Sequence, residues 1–259
     1  MYGKYWGEES MAKSIFITGA TSGIGRKMAE MCIQKGYTVY ATGRNESSLK
    51  TLHSLGAHVM QGDMRKIEDI ERIVEALPPI DVVILNAGLG IFDNVFDLTD
   101  EQIDTMFETN VRAPIYLTKR LAAKMIEQDR GGHFIYVSSQ AGKVATRKAS
   151  VYASTKHAVT GFLNGARLEL APYGIHVTGI YPGPIDTPFL DKADATNAYR
   201  TAVGMFLIQP EKVAQATLRC IERPVREINL PRIMNYTAKF YAVAPRLVET
   251  IGRSFFNKK

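Results

Sequence analysis

The sequence feature that most constrains the fold is a glycine-rich turn, Gly19-x3-Gly23-x-Gly25, placed directly after an apolar run of β-forming residues at 14–18. An apolar helical pattern follows the turn, and a second β-rich run covers 37–42. Strand, turn, helix and strand within roughly 30 residues predict a βαβ unit. Glycines in such a turn let a pyrophosphate approach the backbone N–H groups at the helix N-terminus. The pattern therefore predicts a dinucleotide site, and the alternative is a glycine-rich turn without a ligand.

The end of the second predicted strand indicates which dinucleotide is bound. Dinucleotide folds usually place an acidic residue there, where it binds the ribose 2′-OH of NAD. This chain has no acid at 40–44, and the run ends in Arg44. Because a guanidinium matches the geometry of a phosphate, we predict that NADP(H) is preferred over NAD(H). The alternative is that Arg44 is merely solvated beside the helix cap Asn45.

Helical and β-rich patterns continue to alternate along the rest of the chain. Six alternating strand and helix units predict the α/β class, with a doubly wound parallel β-sheet (Rossmann fold) flanked by helices. A length of 259 residues and the lack of a Ser/Gly/Pro-rich linker favour one domain. We place this domain at 13–230, between a mobile N-terminal extension at 1–12 and a basic C-terminal helical extension at 231–259.

Polar residues follow the predicted strand ends, where parallel sheets bind ligands. Asp63 is placed to accept a hydrogen bond from an adenine amine, and a plain turn aspartate is the equal alternative. The run 86–88, Asn-Ala-Gly, ends a buried strand. Asn110 lies among apolar neighbours in a helix opened by a capping box at 99–102. A buried amide must be satisfied, either structurally or by bending the helix and holding a water.

Tyr152 and Lys156 stand four residues apart and share one face of a predicted helix. A phenol has a pKa near 10, and a neighbouring positive charge favours the phenolate. The pair would make Tyr152 a proton donor or acceptor for a carbonyl or alcohol oxygen, provided that a cofactor carries the hydride. Taken alone, the spacing is more typical of a core tyrosine beside a solvated lysine.

Together these motifs resemble the short-chain dehydrogenase/reductase family. The matching elements, in the same order and spacing over about Lys13 to Leu230, are Thr18-Gly19-x3-Gly23-x-Gly25, Asn86-Ala87-Gly88, Asn110, Ser139, Tyr152-x3-Lys156 and Pro182-Gly183. The chain departs from the family pattern at Ala113, where glycine is common, and at Met64, where valine or leucine is common. The resemblance implies reversible hydride transfer between C4 of a nicotinamide and a carbonyl or alcohol carbon.

The resemblance also implies residue roles. Tyr152 would be the general acid or base, Lys156 would lower its pKa and bind the nicotinamide ribose, and Ser139 would orient the substrate oxygen. Asn110 would hold the bent helix and a water that relays protons to Lys156. Ser139 is chosen over Ser138 because the family serine stands 13 residues before the tyrosine. The predicted cofactor-binding set is Gly19, Ser22, Gly23, Ile24, Gly25, Arg44, Asp63, Asn86, Ala87, Gly88, Tyr152, Lys156, Pro182, Gly183, Ile185 and Thr187.

Composition limits the partners. The chain has two cysteines, Cys32 and Cys220, which argues against a disulfide framework and against a metal site. We therefore expect a reducing, cytoplasmic compartment. From 231 to the C-terminus six basic residues stand against one acid, which carries most of the net charge of +6. These basic residues are too dispersed for a nucleic-acid patch. We expect a homodimer or homotetramer acting on a small-molecule carbonyl or alcohol.

Two segments leave alternatives open. The apolar second half of 188–208 hints at a hydrophobic ketone or aldehyde as substrate, and a core-packing role is equally compatible. The tail has the pattern of an interfacial amphipathic helix, but Pro245 interrupts it. Packing on a sister subunit or covering the pocket mouth is therefore favoured over contact with a membrane surface. A non-catalytic NADP(H)-sensing or scaffolding protein, and a dehydratase or epimerase, are the alternative functions.

Overall fold

Short runs of apolar and β-branched residues form a seven-stranded sheet in which all neighbouring strands pair in parallel. The computed structural model describes residues 12–194 and 198–253. Its strands are β1 (Ser14–Thr18), β2 (Thr38–Gly43), β3 (His58–Gln61), β4 (Val82–Leu85), β5 (Gly132–Val137), β6 (Ile175–Pro182) and β7 (Glu227–Leu230). Their order across the sheet is β3-β2-β1-β4-β5-β6-β7. The order reverses between β1 and β4, which confirms the predicted doubly wound parallel sheet.

Helices cover both faces of this sheet. The α-helices of the described residues are α1 (Gly23–Gln34), α2 (Glu46–Ser54), α3 (Ile67–Ala76), α4 (Asp100–Phe107), α5 (Ala113–Glu127), α6 (Ser150–Leu170), α7 (Pro188–Ala193), α8 (Ala198–Val203), α9 (Pro210–Glu222), α10 (Ile233–Val243) and α11 (Pro245–Ile251). None of the helices in these ranges combines the length and the apolarity that crossing a bilayer requires.

The alternation of side chains along each strand divides the core into two layers. On one face Phe16, Val83 and Phe134 pack with residues of α3, α5 and α6. On the other face Ile17 and Ile84 pack with residues of α1 and α9. The central strands β1, β4, β5 and β6 are buried on both faces, which is why they read as nearly continuous apolar runs in the sequence, whereas the edge strand β3 is partly exposed.

Parallel pairing brings the carboxyl ends of the strands to one edge of the sheet. The segments that follow β1, β4, β5, β6 and β7 therefore meet there, and they carry nearly every polar residue that the sequence analysis selected. Residues 1–11 of the predicted N-terminal extension, 195–197 of the substrate segment and 254–259 of the tail lie outside the described residues. Cys32 and Cys220 are buried free thiols on α1 and α9.

Candidate active site

The turn after β1 forms a cradle for an anion at the start of α1. Ser22 is the N-cap residue, but its side chain makes no capping hydrogen bond, and the first turn contains no acidic residue. The backbone N–H groups and the positive end of the helix dipole are therefore left for a ligand. A Cβ at Gly25 would lie 2.2 Å from the carbonyl oxygen of Gly19, and Gly19 itself has φ +65°. Only glycines at both positions permit this close approach.

Asn86 braces the glycine turn from the neighbouring strand β4. Its Nδ2 donates to the carbonyl oxygens of Thr18 and Gly19, each at 3.1 Å. In return, the Thr18 hydroxyl oxygen accepts from the backbone N–H groups of Asn86 and Ala87, again at 3.1 Å. These four hydrogen bonds fix the turn without a ligand. The Asn86 side chain is thus committed to holding the cradle, whereas Ala87 and Gly88 continue along the cleft wall.

Arg44 and Asp63 lie on the cleft wall at the ends of β2 and β3. Within the described ranges the exposed Arg44 guanidinium is in no ion pair, so it is available to an incoming anion. Asp63 instead forms an ion pair with Arg65, in which Nε (3.0 Å) and Nη2 (2.6 Å) of the guanidinium both donate to Oδ2 of the carboxylate. The hydrogen bonds from Arg65 hold the pKa of the Asp63 carboxyl below its usual value. Arg65 was not identified from the sequence, because an i, i+2 pair in a turn has no distinctive pattern.

A π-helical turn interrupts the long helix at Glu108–Arg112, between α4 and α5. Asn110 sits in this turn and is 2% exposed. Its Nδ2 donates to the Leu89 carbonyl (2.7 Å) and to the Thr155 hydroxyl (3.0 Å), and its Oδ1 accepts from the Leu89 N–H (2.8 Å). The amide is therefore satisfied by the loop after β4 and by α6. A wide turn at such a residue is a common device at functional sites.

A small cavity lies behind this amide. It measures about 10 Å³ and is lined by Thr18, Asn110 and Lys156 among largely apolar neighbours. This volume is near the minimum that holds one water centre. The expectation that Asn110 positions a water near Lys156 is compatible with this geometry and stays a prediction.

Tyr152 and Lys156 both point from α6 into the cleft, and both are buried. The Lys156 ammonium lies 5.7 Å from the centroid of the Tyr152 ring and donates to the Val137 carbonyl at 3.3 Å. Ser139, at the end of β5, lines the same cleft, and its hydroxyl is near enough to the Tyr152 phenol to lower the pKa of that group. The Ser139 hydroxyl oxygen also accepts from the Ala141 N–H at 3.1 Å, which fixes its direction. The buried Ser138 hydroxyl has no partner within the described part of the chain.

Burial governs the protonation of this pair. It raises the pKa of Tyr152 to about 12, and the nearby Ser139 hydroxyl opposes the rise. It lowers the pKa of Lys156 to about 8. In the protein alone, desolvation therefore outweighs the lowering of the phenol pKa that we expected from Lys156. At neutral pH the phenol carries its proton, and most of the lysine is charged.

The cleft that contains these groups has a volume of about 630 Å³. Aromatic side chains surround Tyr152: its ring centroid lies 5.5 Å from that of Phe92 and 5.8 Å from that of Phe189, and Tyr199 lies 5.4 Å from Phe92. These rings come from the loop after β4 and from α7 and α8. Sequence reasoning found the segment 188–208 but not Phe92, since no periodicity marks a loop residue as part of a site.

The segment after β6 holds the remaining predicted residues. Gly183 donates its N–H to the Leu230 carbonyl at 2.7 Å, and Thr187 is buried at the start of α7. Arg200 on α8 contacts Asp186, Asp191 (2.9 Å) and the Thr187 carbonyl (2.9 Å). Pro182 and Ile185 line the same wall. The structure thus brings all of the predicted cofactor-binding residues, together with Ser139, to one cleft, whereas Asn110 lies behind it and lines the small cavity.

The two C-terminal helices close one side of the cleft mouth. Met234, Thr237 and Tyr241 of α10, with Val248 of α11, line it. This placement agrees with the expectation that the tail covers the pocket. Phe206, in the second half of the substrate segment, also lines the cleft, whereas Ile208 packs in the core. Side chains of this segment therefore both line the cleft and pack in the core, and the apolar substrate stays a prediction.

A family model described as short chain dehydrogenase matches residues 13–198. The chain belongs to the short-chain dehydrogenase family. An uncharacterized oxidoreductase of Bacillus subtilis, YxnA, is 35% identical over 252 residues, which cover 92% of this chain and 70% of that protein. The chain is thus an oxidoreductase of the dehydrogenase/reductase type, and members of this family act on small molecules.

Solved structures of the short-chain dehydrogenase family share the fold. A serine dehydrogenase in its closed form, complexed with NADP+, has a TM-score of 0.78 at 30% identity, covering 83% of this chain and 93% of that one. A variant of actinorhodin polyketide ketoreductase with NADPH has a TM-score of 0.76 at 28% identity, covering 84% and 95%. A Burkholderia phymatum member in complex with NAD scores 0.82 at 21% identity over 91% and 95%, a likeness of fold alone.

The cradle of this chain fits a nicotinamide dinucleotide. Glycines leave the space that a pyrophosphate needs, no side chain of a described residue caps the N-terminus of α1, and Arg44 at the end of β2 is in no ion pair with a described residue. Such a ligand would extend from Arg44 to the buried Tyr152 and Lys156, since all three line the same cleft.

Proposed function

We propose that the chain is an NADP(H)-dependent oxidoreductase that reversibly transfers hydride between the nicotinamide and a carbonyl or alcohol carbon, with Tyr152 as general acid or base. The observation that carries the proposal is the meeting of Ser139, Tyr152 and Lys156 in one cleft with a dinucleotide cradle. Asn110 completes the set by fixing the loop after β4. A protein that only binds a nucleotide has no use for these four residues together.

Each residue has a distinct proposed role. A bound nicotinamide supplies or accepts the hydride. The Tyr152 hydroxyl gives a proton to the substrate oxygen in reduction and takes one in oxidation. The Ser139 hydroxyl donates a second hydrogen bond to the same oxygen, which stabilises negative charge on it. Lys156 holds a positive charge next to the phenol and binds a ribose hydroxyl, and Asn110 positions the loop at Leu89.

The protonation states favour reduction as the direction in which the protein is poised. Because the pKa of Tyr152 is raised to about 12, the phenol is a proton donor at neutral pH. A donor is what a carbonyl oxygen needs when it becomes an alkoxide. Lys156, with a pKa near 8, retains most of its charge under the same conditions.

The preference for NADP(H) over NAD(H) rests on Arg44. The guanidinium lies on the cleft wall at the end of β2 and is in no ion pair with a described residue, and its charge also acts on the Asp63 carboxylate of the same wall. A 2′-phosphate would be matched by this group, and an acid that would bind a 2′-OH is missing from 40–44. The serine dehydrogenase and ketoreductase structures hold NADP+ and NADPH, which supports the same preference.

The substrate side supports a hydrophobic ketone or aldehyde. Rings of Phe92, Phe189 and Tyr199 surround the reacting phenol, and Met234 and Tyr241 line the mouth. A pocket of this composition binds apolar groups and uses a few polar atoms for orientation. The likeness to serine dehydrogenase makes a hydroxy acid the second candidate, and the exposed Lys192 at the cleft rim is the cation that would bind its carboxylate.

We further propose that 13–230 forms the catalytic domain, that the basic tail at 231–259 covers the cleft mouth, and that the protein works in the cytoplasm as a homodimer or homotetramer. Light scattering during gel filtration measures the oligomeric state directly. A monomer at micromolar concentration would contradict that part of the proposal.

NADPH oxidation, measured against a panel of ketones, aldehydes and oxidised hydroxy acids, tests the proposed reaction. We expect turnover with apolar carbonyl compounds and a loss of about 10²- to 10⁴-fold in kcat in Tyr152→Phe, because the general acid is removed. NADPH binding, followed by fluorescence, should change little in that variant. Tyr173→Phe, which alters a half-exposed tyrosine outside the cleft, is the matched control.

Three outcomes are informative. Unchanged turnover in Tyr152→Phe would reject the assignment of the proton donor. NADPH binding without turnover on any compound would favour the sensing or scaffolding protein. Turnover restricted to hydroxy acids and their oxidised forms would replace the apolar substrate class with the second candidate.

A further inference from the structure

The C-terminal helices have an apolar face that is not used inside the molecule. On α10 the side chains of Ile233, Tyr236, Phe240 and Val243 are exposed, from 51% at Phe240 to 84% at Val243. Their spacing of three and four residues places them on one side of the helix. On α11 Leu247 and Ile251 repeat the pattern at 50% and 75% exposure. We name these six residues the outer face. Large apolar side chains that recur in this way mark a surface that binds something.

Positive charge accompanies the outer face. In the described part of the tail Arg232, Lys239, Arg246 and Arg253 stand against the single acid Glu249. The Glu249 carboxylate accepts a hydrogen bond from Tyr241 at 2.9 Å. None of the four cations lies in an ion pair with another described residue. The charge of Lys239 also helps to lower the pKa of the Glu227 carboxyl, and because none of the four cations is held in an ion pair, all of them can meet an external anion.

The same two helices line the cleft. The side chains that line the mouth are Met234, Thr237 and Tyr241 of α10 and Val248 of α11. Those of α10 lie on the side of the helix next to the outer face. Ile233 belongs to both, being 63% exposed and part of the cleft lining. The outer face is thus continuous with the opening through which an apolar substrate would pass.

We propose that α10 and α11 dock the protein on an anionic lipid surface, with the outer face in the interfacial layer and the cleft mouth turned toward the bilayer. Apolar side chains flanked by lysine and arginine are what binds such surfaces. Each basic residue near an anionic membrane adds to the attraction, which falls with salt. Delivery of substrate from the lipid phase rests on the proposed function, whereas the docking itself does not.

Charge decides between lipid and a second copy of the chain as the occupant. A two-fold dimer through the outer face would place the same surface of both copies in contact. Four cations and one acid from each copy would then face one another, and juxtaposed like charges disfavour association. Anionic headgroups complement the same cations. Pro245 divides the tail into two short helices, but both keep their apolar side chains outward.

Sedimentation of the purified full-length chain with vesicles tests the docking. We expect binding to vesicles that contain roughly 30 to 40 mol% phosphatidylglycerol in phosphatidylcholine, because their surface is anionic. We expect little binding to vesicles of pure phosphatidylcholine.

Val243→Glu should lower the partition coefficient about tenfold, because a large apolar side chain leaves the interface. Lys239→Gln should lower it about fivefold, the effect of one basic residue. Adding sodium chloride to 0.5 M, about three times physiological ionic strength, should weaken binding of the parent chain.

Leu55→Glu is the matched control for Val243→Glu. Leu55 is 49% exposed at the end of α2, beside the edge strand β3 and therefore at the other side of the sheet from the tail. Its vesicle binding should equal that of the parent. Neither Val243 nor Leu55 lines the cleft, so turnover of a water-soluble carbonyl compound should be unchanged in both variants.

Two results would overturn the docking proposal. One is equal sedimentation of the parent chain with anionic and neutral vesicles, or none with either. The other is a dimer in solution that Val243→Glu dissociates while vesicle binding is absent, which assigns the outer face to a second copy. Vesicle binding is measured without a substrate, so inactive protein that still binds vesicles would refute the proposed function alone.

Discussion

At the scale of single residues, Lys156 shows that the chain loses folding stability where it buries a charged side chain in the cleft. The side chain is 5% exposed, and its ammonium donates to one backbone carbonyl. Burial lowers its pKa from 10.5 to about 8, which means that the charged form is less stable in the folded than in the unfolded chain. A buried ammonium group with so few hydrogen bonds destabilises the folded protein, and such groups are typical of functional sites.

Lys156→Met is predicted to stabilise the cofactor-free protein while abolishing turnover. Below pH 8 the parent must bury a charge, which costs on the order of 3 kcal/mol by the pKa shift, whereas Met buries none. Between pH 8 and 10 the folded parent has released a proton that the unfolded chain still binds, so the stability of the parent rises with pH. Thermal denaturation should therefore show a gain of several degrees at pH 7 that shrinks toward pH 10. A variant less stable than the parent at pH 7 would contradict this reasoning, and the exposed Lys119→Met is the control.

Arg44→Ala is predicted to remove the cofactor preference. The loss of a charge-assisted contact to a 2′-phosphate, worth roughly 1.5 to 3 kcal/mol, corresponds to a fall of about 10- to 100-fold in kcat/KM for NADPH. The value for NADH should change little, because that cofactor offers no phosphate to the guanidinium. Steady-state kinetics with both cofactors provides the measurement, with the exposed Arg223→Ala as control. Equal losses with NADPH and NADH would show that Arg44 acts through the fold.

At the scale of elements, a partly buried lysine connects the loop after β5 to the tail. Lys143 follows the short helix after Ser139, and its Nζ donates to Glu227 (2.9 Å), Asn229 (2.8 Å) and Asn235 (3.2 Å). It also lies 4.2 Å from the centroid of the Tyr181 ring. One side chain thus ties the loop after β5 to β7 and to α10. The position of the cleft mouth depends on this connection.

Lys143→Met is predicted to loosen α10 and α11 while the rest of the sheet stays folded. The variant removes the ammonium that pairs with the partly exposed Glu227 and the hydrogen bonds that it donates to Asn229 and Asn235, a loss of about 1 kcal/mol for the ion pair alone. Hydrogen exchange should become faster in 232–253 and stay unchanged in β1 and β4. Lys119→Met serves again as the control. Uniformly faster exchange throughout the chain would mean that the network supports the whole domain and not the tail.

At the scale of the whole molecule, the doubly wound parallel sheet and the glycine turn could be predicted because the alternation of strands and helices and the turn glycines are local patterns. Apolar runs, turn glycines and a capping box are each readable in a few residues, and the structure has the expected elements. Asn110 was predicted to be satisfied structurally or by a bend, and it is satisfied inside a π turn. The width of that turn is set by contacts with Leu89 and Thr155, which are distant in sequence and leave no local pattern.

Other parts of the site depend on tertiary packing alone. The rings around Tyr152 come from residues 92, 189 and 199, and only the fold brings these segments together. The effect of burial on the protonation of Tyr152 and Lys156 was likewise beyond sequence reasoning, since spacing gives proximity but not desolvation. The direction of the tail was open for the same reason: a pattern shows that a helix has an apolar side without showing what covers it.

All seven strands run in the same direction, so the cleft lies along the edge of the sheet that their carboxyl ends form, which we call the working rim. The edge that their amino ends form is the idle rim. Four to eight residues of strand separate the two rims, a distance of roughly 13 to 26 Å. The turn at 128–131, between α5 and β5, belongs to the idle rim. A fluorophore, a peptide tag or a solid support attached there would stand a full sheet's height from the glycine turn and from Tyr152, so we expect that the protein can be immobilised or labelled there without disturbing the cleft.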